Sequence, residues 1–182
     1  VVPHLMDPDF GFARYAENVL TKPQITAWRT GRVKAVGSKT APELYAAHLS
    51  QREAAQILSN FFYDVRLKSR IELRAADSMP SRYIAAYAQL VKSVFGSPAA
   101  LQNVLRHYAG ITTLDITTAK LAVCKDGFNA LAYGKPISSE LTWLLMQARS
   151  RTPSQEERAL LDPFMALVMK RKTIRETENY NE

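Results

Sequence analysis

The sequence predicts an α+β fold, with a small antiparallel sheet in its first half and packed helices in its second, from three observations. Residues Tyr63 to Arg74 alternate apolar and charged side chains with the period of two that a strand requires. Two β-prone runs, Ile25 to Trp28 and Arg32 to Val36, flank a turn at Thr30 and Gly31. From Arg82 onward, apolar residues recur at helical spacing. Strands first and helices second is the segregation that defines this class.

The elements follow in order. Asp9 is placed to cap a first helix within Asp7 to Leu20, with Phe12, Tyr15, Ala16 and Val19 on one face. Pro23 leads into the hairpin and Gly37 leaves it. Thr40 with Glu43, and Ser50 with Glu53, fit the capping box, in which a hydroxyl and a carboxylate satisfy the free amides of a starting helix. The second of these helices carries Ala54, Ile57, Leu58, Phe61 and Phe62 on one face.

One strand is then expected, with Val65, Leu67, Ile71 and Leu73 on one side and Asp64, Arg66, Lys68, Arg70, Glu72 and Arg74 on the other. Helices follow over Arg82 to Phe95, Pro98 to Tyr108, Leu114 to about Phe128, Ser139 to Arg149 and Pro153 to Lys172, the last interrupted at Pro163. Three regions result: 1–80, a partial sheet with flanking helices; 81–175, a helical region packing on it; and 176–182, a frayed tail.

Composition narrows the function classes. The 182 residues are 47% hydrophobic, which suits a globular chain. No apolar run approaches the roughly 20 residues that span a bilayer, and no secretory signal opens the chain, so a cytoplasmic protein without a membrane partner is expected. Opening on Val1, the sequence reads as a piece of something longer. The single cysteine, Cys124, excludes an intramolecular disulfide and reads as a small buried hydrophobe. His4, His48 and His107 share no ligand spacing and read as structural.

A net charge of +7 favours anionic partners. The charged side of the Tyr63 to Arg74 segment concentrates it, with Arg66, Lys68, Arg70 and Arg74 around Glu72. Arginine forks suit carboxylate or phosphate, and a glutamate among cations stays ionised and could hold Mg²⁺. On one strand Glu72 and Arg74 lie roughly 6.6 Å apart, at about 3.3 Å per residue. Periodicity alone leaves a solvated face and an anion site equally open.

The run Val65-Arg66-Leu67-Lys68-Ser69-Arg70-Ile71-Glu72-Leu73-Arg74-Ala75-Ala76-Asp77 resembles the signature strand of the plant and proteobacterial glutamate-cysteine ligases. Upstream, Asp9-Phe10-Gly11-Phe12, Tyr15 and Pro23 are similar to a segment of that family in the same order. Ser69, Arg70 and Ala75 depart from its usual residues.

The resemblance implies part of a glutamine synthetase-like antiparallel sheet and an ATP-dependent ligation of the glutamate γ-carboxylate to the cysteine amine. It implies Mg²⁺ and ATP as cofactors of the complete protein, Glu72 as a metal ligand, and Arg74 as the catalytic arginine that contacts carboxylate or phosphate. Arg66, Lys68 and Arg70 have weaker claims to the substrate or phosphate. The partners implied are glutamate, cysteine, ATP and an N-terminal half of the same protein, without which these residues are expected to be inactive. Acceptor specificity and homo-oligomer formation stay open.

Two other classes compete. A noncatalytic helical interaction domain could retain the ligase fold. A basic nucleic-acid module is disfavoured, because aromatic residues are sparse along the charged segment.

Overall fold

A computed structural model describes residues 2–45 and 48–178 of the chain. The fold is α+β: about 55% helical, with short antiparallel strand pairs and a mostly helical second half. It divides into two compact units, Val1–Asp77 and Ser78–Glu182.

In the first unit, α1 (Phe12–Leu20) precedes a ribbon of β1 (Thr26–Arg29) and β2 (Arg32–Ala35). Trp28 opposes Val33 and Arg29 opposes Arg32 across it. Thr30 and Gly31 both take positive φ, 48° and 78°, so the two-residue turn has the twist that suits a hairpin. Next come α2 (Ala41–Leu44), α3 (Gln51–Ser59) and a second ribbon, β3 (Val65–Leu67) with β4 (Ile71–Leu73). Both predicted capping boxes form, at Thr40/Glu43 and Ser50/Glu53.

Val19, Ala27, Leu44, Ile57, Phe61 and Tyr63 belong to the core of this unit. Buried Asn60, the C-cap of α3, ties it to β1: its Oδ1 accepts from the Thr26 amide at 2.8 Å and hydroxyl at 2.9 Å, and its Nδ2 donates to the Thr26 carbonyl at 2.8 Å and to Gln24 Oε1 at 3.1 Å.

Three expectations fail in this unit. Helix α1 has Gly11 rather than Asp9 at its N-cap, and no side-chain cap. Asp9 lies too far upstream and instead pairs with Arg14 at 2.5 Å. Phe12 and Phe62, expected on apolar faces, are 79% and 73% exposed, the latter because α3 ends at Ser59. The expected single strand over Tyr63 to Arg74 is a hairpin, reversed at Lys68, Ser69 and Arg70, where the Lys68 amide donates to the Arg70 carbonyl at 2.9 Å.

In the second unit, α4 (Ser81–Phe95), α5 (Pro98–His107) and α6 (Thr113–Asp126) lead to a 3₁₀ turn, Gly127–Asn129, which begins at the positive-φ glycine that ends α6. A short ribbon follows, β5 (Leu131–Ala132) with β6 (Lys135–Pro136), turned through Tyr133 and Gly134, both at positive φ. Then come α7 (Ile137–Ser150), α8 (Gln155–Ala159), α9 (Asp162–Lys170) and α10 (Ile174–Thr177). Pro163 sits in the first turn of α9, so the interruption expected in the last long helix occurs just before it.

Leu145, Ala148, Leu161 and Val168 form the core, with Phe164 and Met165 against it. Cys124 is exposed, contrary to expectation. It lies five residues beyond buried Ala119, roughly 140° round the helix and so on the outer side. The expected frayed tail, 176–182, begins within α10, whose start Thr173 and Glu176 cap; its last four positions lie outside the described residues.

Asn60→Ala leaves the half-buried Thr26 amide and carbonyl without their partner. The expected loss is about 2–4 kcal/mol of stability. Urea unfolding followed by the fluorescence of Trp28 in a Trp143→Phe background measures it, and a loss below about 0.5 kcal/mol, the scale of surface substitutions, would contradict the assigned role.

Candidate functional site

The β3–β4 ribbon carries the residues singled out in the sequence. Its register sets Val65 opposite Leu73, Arg66 opposite Glu72 and Leu67 opposite Ile71. Cross-strand partners share a face, so Arg66 and Glu72 meet directly. Arg66 Nε donates to Glu72 Oε2 at 2.8 Å, and its Nη2 donates to Oε1 at 3.1 Å. This two-pronged contact is the geometry in which arginine binds carboxylate best.

A charged residue is the most covered of the ribbon, while Glu72, Arg74, Leu67 and Leu73 are half-buried. Arg66 is 7% exposed, whereas Val65 and Ile71 on the opposite face are 44% and 68% exposed. Arg66 also reaches the carbonyl of Ser59 at 3.4 Å, so its buried guanidinium has both a counter-charge and a neutral acceptor.

Arg74 joins from the strand's end. Its Nη1 lies 3.6 Å from Glu72 Oε1, and its guanidinium stands over the Phe62 ring at 5.3 Å from the centroid. Its amide donates to the Asp64 carbonyl at 2.7 Å, extending the ribbon by one step. Lys68 and Arg70 are exposed at the turn, with Lys68 Nζ donating to Ser59 Oγ at 3.2 Å. The structure thus brings Arg66, Glu72 and Arg74 together and leaves Lys68 and Arg70 at the rim.

The hydrogen bonds from Arg66 hold the Glu72 carboxyl below its ordinary pKa; burial opposes them, and the charges of Arg66, Arg74 and Lys68 add to the lowering. Glu72 is therefore an anion at neutral pH. As a donor it suits Mg²⁺, which takes one or two protein carboxylates with phosphate and water. Among the described residues, no three or more His, Cys, Asp or Glu cluster as a metal site, and both Glu72 oxygens already accept from Arg66. A metal here would share Glu72 with Arg66 and draw its other ligands from outside these residues.

The two segments that carry the family resemblance also touch. The Tyr15 hydroxyl accepts from the Leu67 amide at 3.2 Å, and its ring meets Tyr63 edge-on at 6.4 Å. Helix α1 thereby braces β3.

A second polar cluster, in the helical unit, escaped sequence reasoning. Buried Glu140 on α7 engages His107 Nε2 at 2.9 Å and Lys135 Nζ at 3.3 Å. His107 stacks on Trp143 at 3.5 Å between ring centroids, with Tyr108 edge-on to both. Burial and the Glu140 charge push the Tyr108 phenol up. The only signal was a glutamate three residues before a tryptophan on an otherwise apolar helix face. The role visible here is structural, tying α5 and β6 to α7, as expected for His107. His4 pairs with Asp7 at 3.0 Å on the surface.

A carboxyl with a depressed native pKa stabilises the fold above its unfolded value, and that contribution is lost as pH falls through the native value. The ribbon is therefore secure above pH 4.5, the ordinary glutamate value, and weakens in acid. Arg66→Met removes the main cause, so the Glu72 carboxyl should titrate closer to 4.5. NMR titration of the Glu72 side-chain carboxyl measures this, and an unchanged midpoint in the variant would show that Arg66 does not control it.

No family model matches the chain. It is 27% identical over 113 residues to the chloroplastic glutamate-cysteine ligase of Brassica juncea, an alignment that covers 58% of this chain and 22% of that protein. The chain thus spans about a fifth of the length of this relative, and the likeness establishes a distant relationship to a ligase.

Proposed function

We propose that this chain is the C-terminal part of an ATP-dependent carboxylate-amine ligase that joins the glutamate γ-carboxylate to the cysteine amine. The observation that carries this reading is the meeting of Arg66, Glu72 and Arg74 on a ribbon braced by Tyr15. Both segments that resemble the ligase family contribute to it, and the distant ligase relative supports the same assignment. Because the chain corresponds to about a fifth of that relative, the activity belongs to the complete protein.

In the proposed reaction, the γ-carboxylate oxygen attacks the γ-phosphorus of ATP and ADP leaves, giving an acyl phosphate. The amine nitrogen then attacks the acyl carbon, phosphate departs, and the amine loses a proton. Both steps bring anions together, so positioned positive charge is the main demand on the protein. Arg74, outside the Arg66 fork, is the residue assigned to the reacting carboxylate or phosphate. Lys68 and Arg70, at the exposed turn, add attraction for the incoming anions. Glu72 would give Mg²⁺ an ionised oxygen, and the metal when bound supplies charge neutralisation between the phosphates and the carboxylate. Arg66 holds Glu72 in place.

A second reading, a noncatalytic interaction domain, is favoured by one observation: Glu72 is already satisfied by Arg66.

The test uses a longer protein that includes the upstream half. It should release phosphate from ATP only when glutamate and cysteine are both supplied. Glu72→Gln should abolish that release, and Arg74→Lys should slow it about 10²–10³-fold, the usual cost of losing one oriented charge donor. Wild-type rates in Glu72→Gln would remove the ribbon from the active site, and no phosphate release by the unmutated longer protein would favour the noncatalytic reading.

A further inference from the structure

The helical unit contains a groove of about 540 Å³ between the start of α7 and the end of α9. The groove is shallow and broadly open to solvent. Ser138, Ser139, Thr142 and Trp143 form one wall, and Val168, Met169 and Arg171 form the other. Its surface is divided: three hydroxyls and a guanidinium on one part, an indole, a valine and a thioether on the rest.

Two features point to an anion with a flat apolar body. The first is Arg171. Its Nη2 donates to the Phe128 carbonyl at 2.7 Å and to Asn129 Oδ1 at 3.2 Å, both neutral acceptors. Among the described residues it has no carboxylate partner, and no carboxylate lines the groove. Glu140, on the turn of α7 beside this wall, is already engaged by His107 and Lys135. The exposed guanidinium is thus held in orientation without a counter-charge among the described residues, and its remaining N–H groups are suited to an oxyanion. The second feature is apolar. Met169 is 79% exposed beside Trp143, which already stacks on His107 and so cannot turn away. A rigid indole and a polarisable thioether suit a planar ring.

We propose that this groove binds a small ligand in which an oxyanion is joined to a planar ring, with Arg171, Ser138 and Ser139 taking the oxyanion and Trp143 and Met169 the ring. Phosphate and carboxylate are the two sources of that oxyanion, represented by a nucleoside monophosphate and an aromatic acid. The site lies in the helical unit and does not depend on the ligase reading, so Glu72→Gln leaves it intact.

The test follows the indole N–H of Trp143 by NMR in the full chain, with Trp28→Phe used to assign the two tryptophans, while AMP, indole-3-carboxylate, adenosine or inorganic phosphate is added. AMP or indole-3-carboxylate should shift the Trp143 signal in a saturable way, whichever binds more tightly naming the oxyanion, and adenosine should bind at least tenfold more weakly than AMP. Ser139→Glu places a like charge on an exposed wall without disturbing packing, and should weaken binding at least tenfold with an unchanged melting temperature. Arg171→Gln should also weaken binding at least tenfold. No shift with either ring-bearing anion at millimolar concentration, or equal affinity in Ser139→Glu and wild type, would overturn the proposal.

Discussion

The first unit turns on one contact, the two-pronged hydrogen bond from Arg66 to Glu72. A guanidinium that is 7% exposed in so small a unit is costly unless it is paired and its donors are met. The pairing allows a charged residue of the β3–β4 ribbon to turn inward where an apolar one is usual. Val65 and Ile71 are left facing outward. Breaking the pair by removing one member leaves the other uncompensated, so its value to the fold lies in specificity of register as much as in net stability.

That same contact shapes what the site can do. With Arg66 committed, the free positive charge of the ribbon passes to Arg74, Lys68 and Arg70, and Glu72 stays ionised between them. The ligase reading needs an oriented carboxylate with cations beside it, and the ribbon has both. A complete reaction centre needs further ligands and walls, which accords with a chain that corresponds to a fifth of its ligase relative.

Much of the fold was legible because it rests on local chemistry. The capping boxes at Thr40 and Ser50, the Thr30-Gly31 turn and the break before Pro163 each depend on residues within a few positions of one another. The reversal at Lys68 to Arg70 was not legible, for a reason of parity. In a hairpin whose loop has three residues, paired positions differ by an even number, so Val65, Leu67, Ile71 and Leu73 stay on one face whether the chain runs straight or doubles back. Period two cannot separate the two cases. The face that turns inward was equally hidden, since Arg66 is buried by virtue of Glu72 across the ribbon and Ser59 on another element. Of the site residues, the grouping of Arg66, Glu72 and Arg74 could be anticipated, but the two-pronged grip of Arg66 on Glu72 required the turn. The contact of Tyr15 with Leu67 joins residues 52 positions apart, and no pattern within one segment reports it.

The most direct test of this account is the register of the β3–β4 ribbon in solution, read from cross-strand nuclear Overhauser effects in the full chain. The account predicts contacts between the backbone protons of Val65 and Leu73 and between those of Arg66 and Glu72. If Tyr63 to Arg74 showed only sequential contacts, as one continuous strand would, the Arg66 to Glu72 fork and everything built on it would be contradicted.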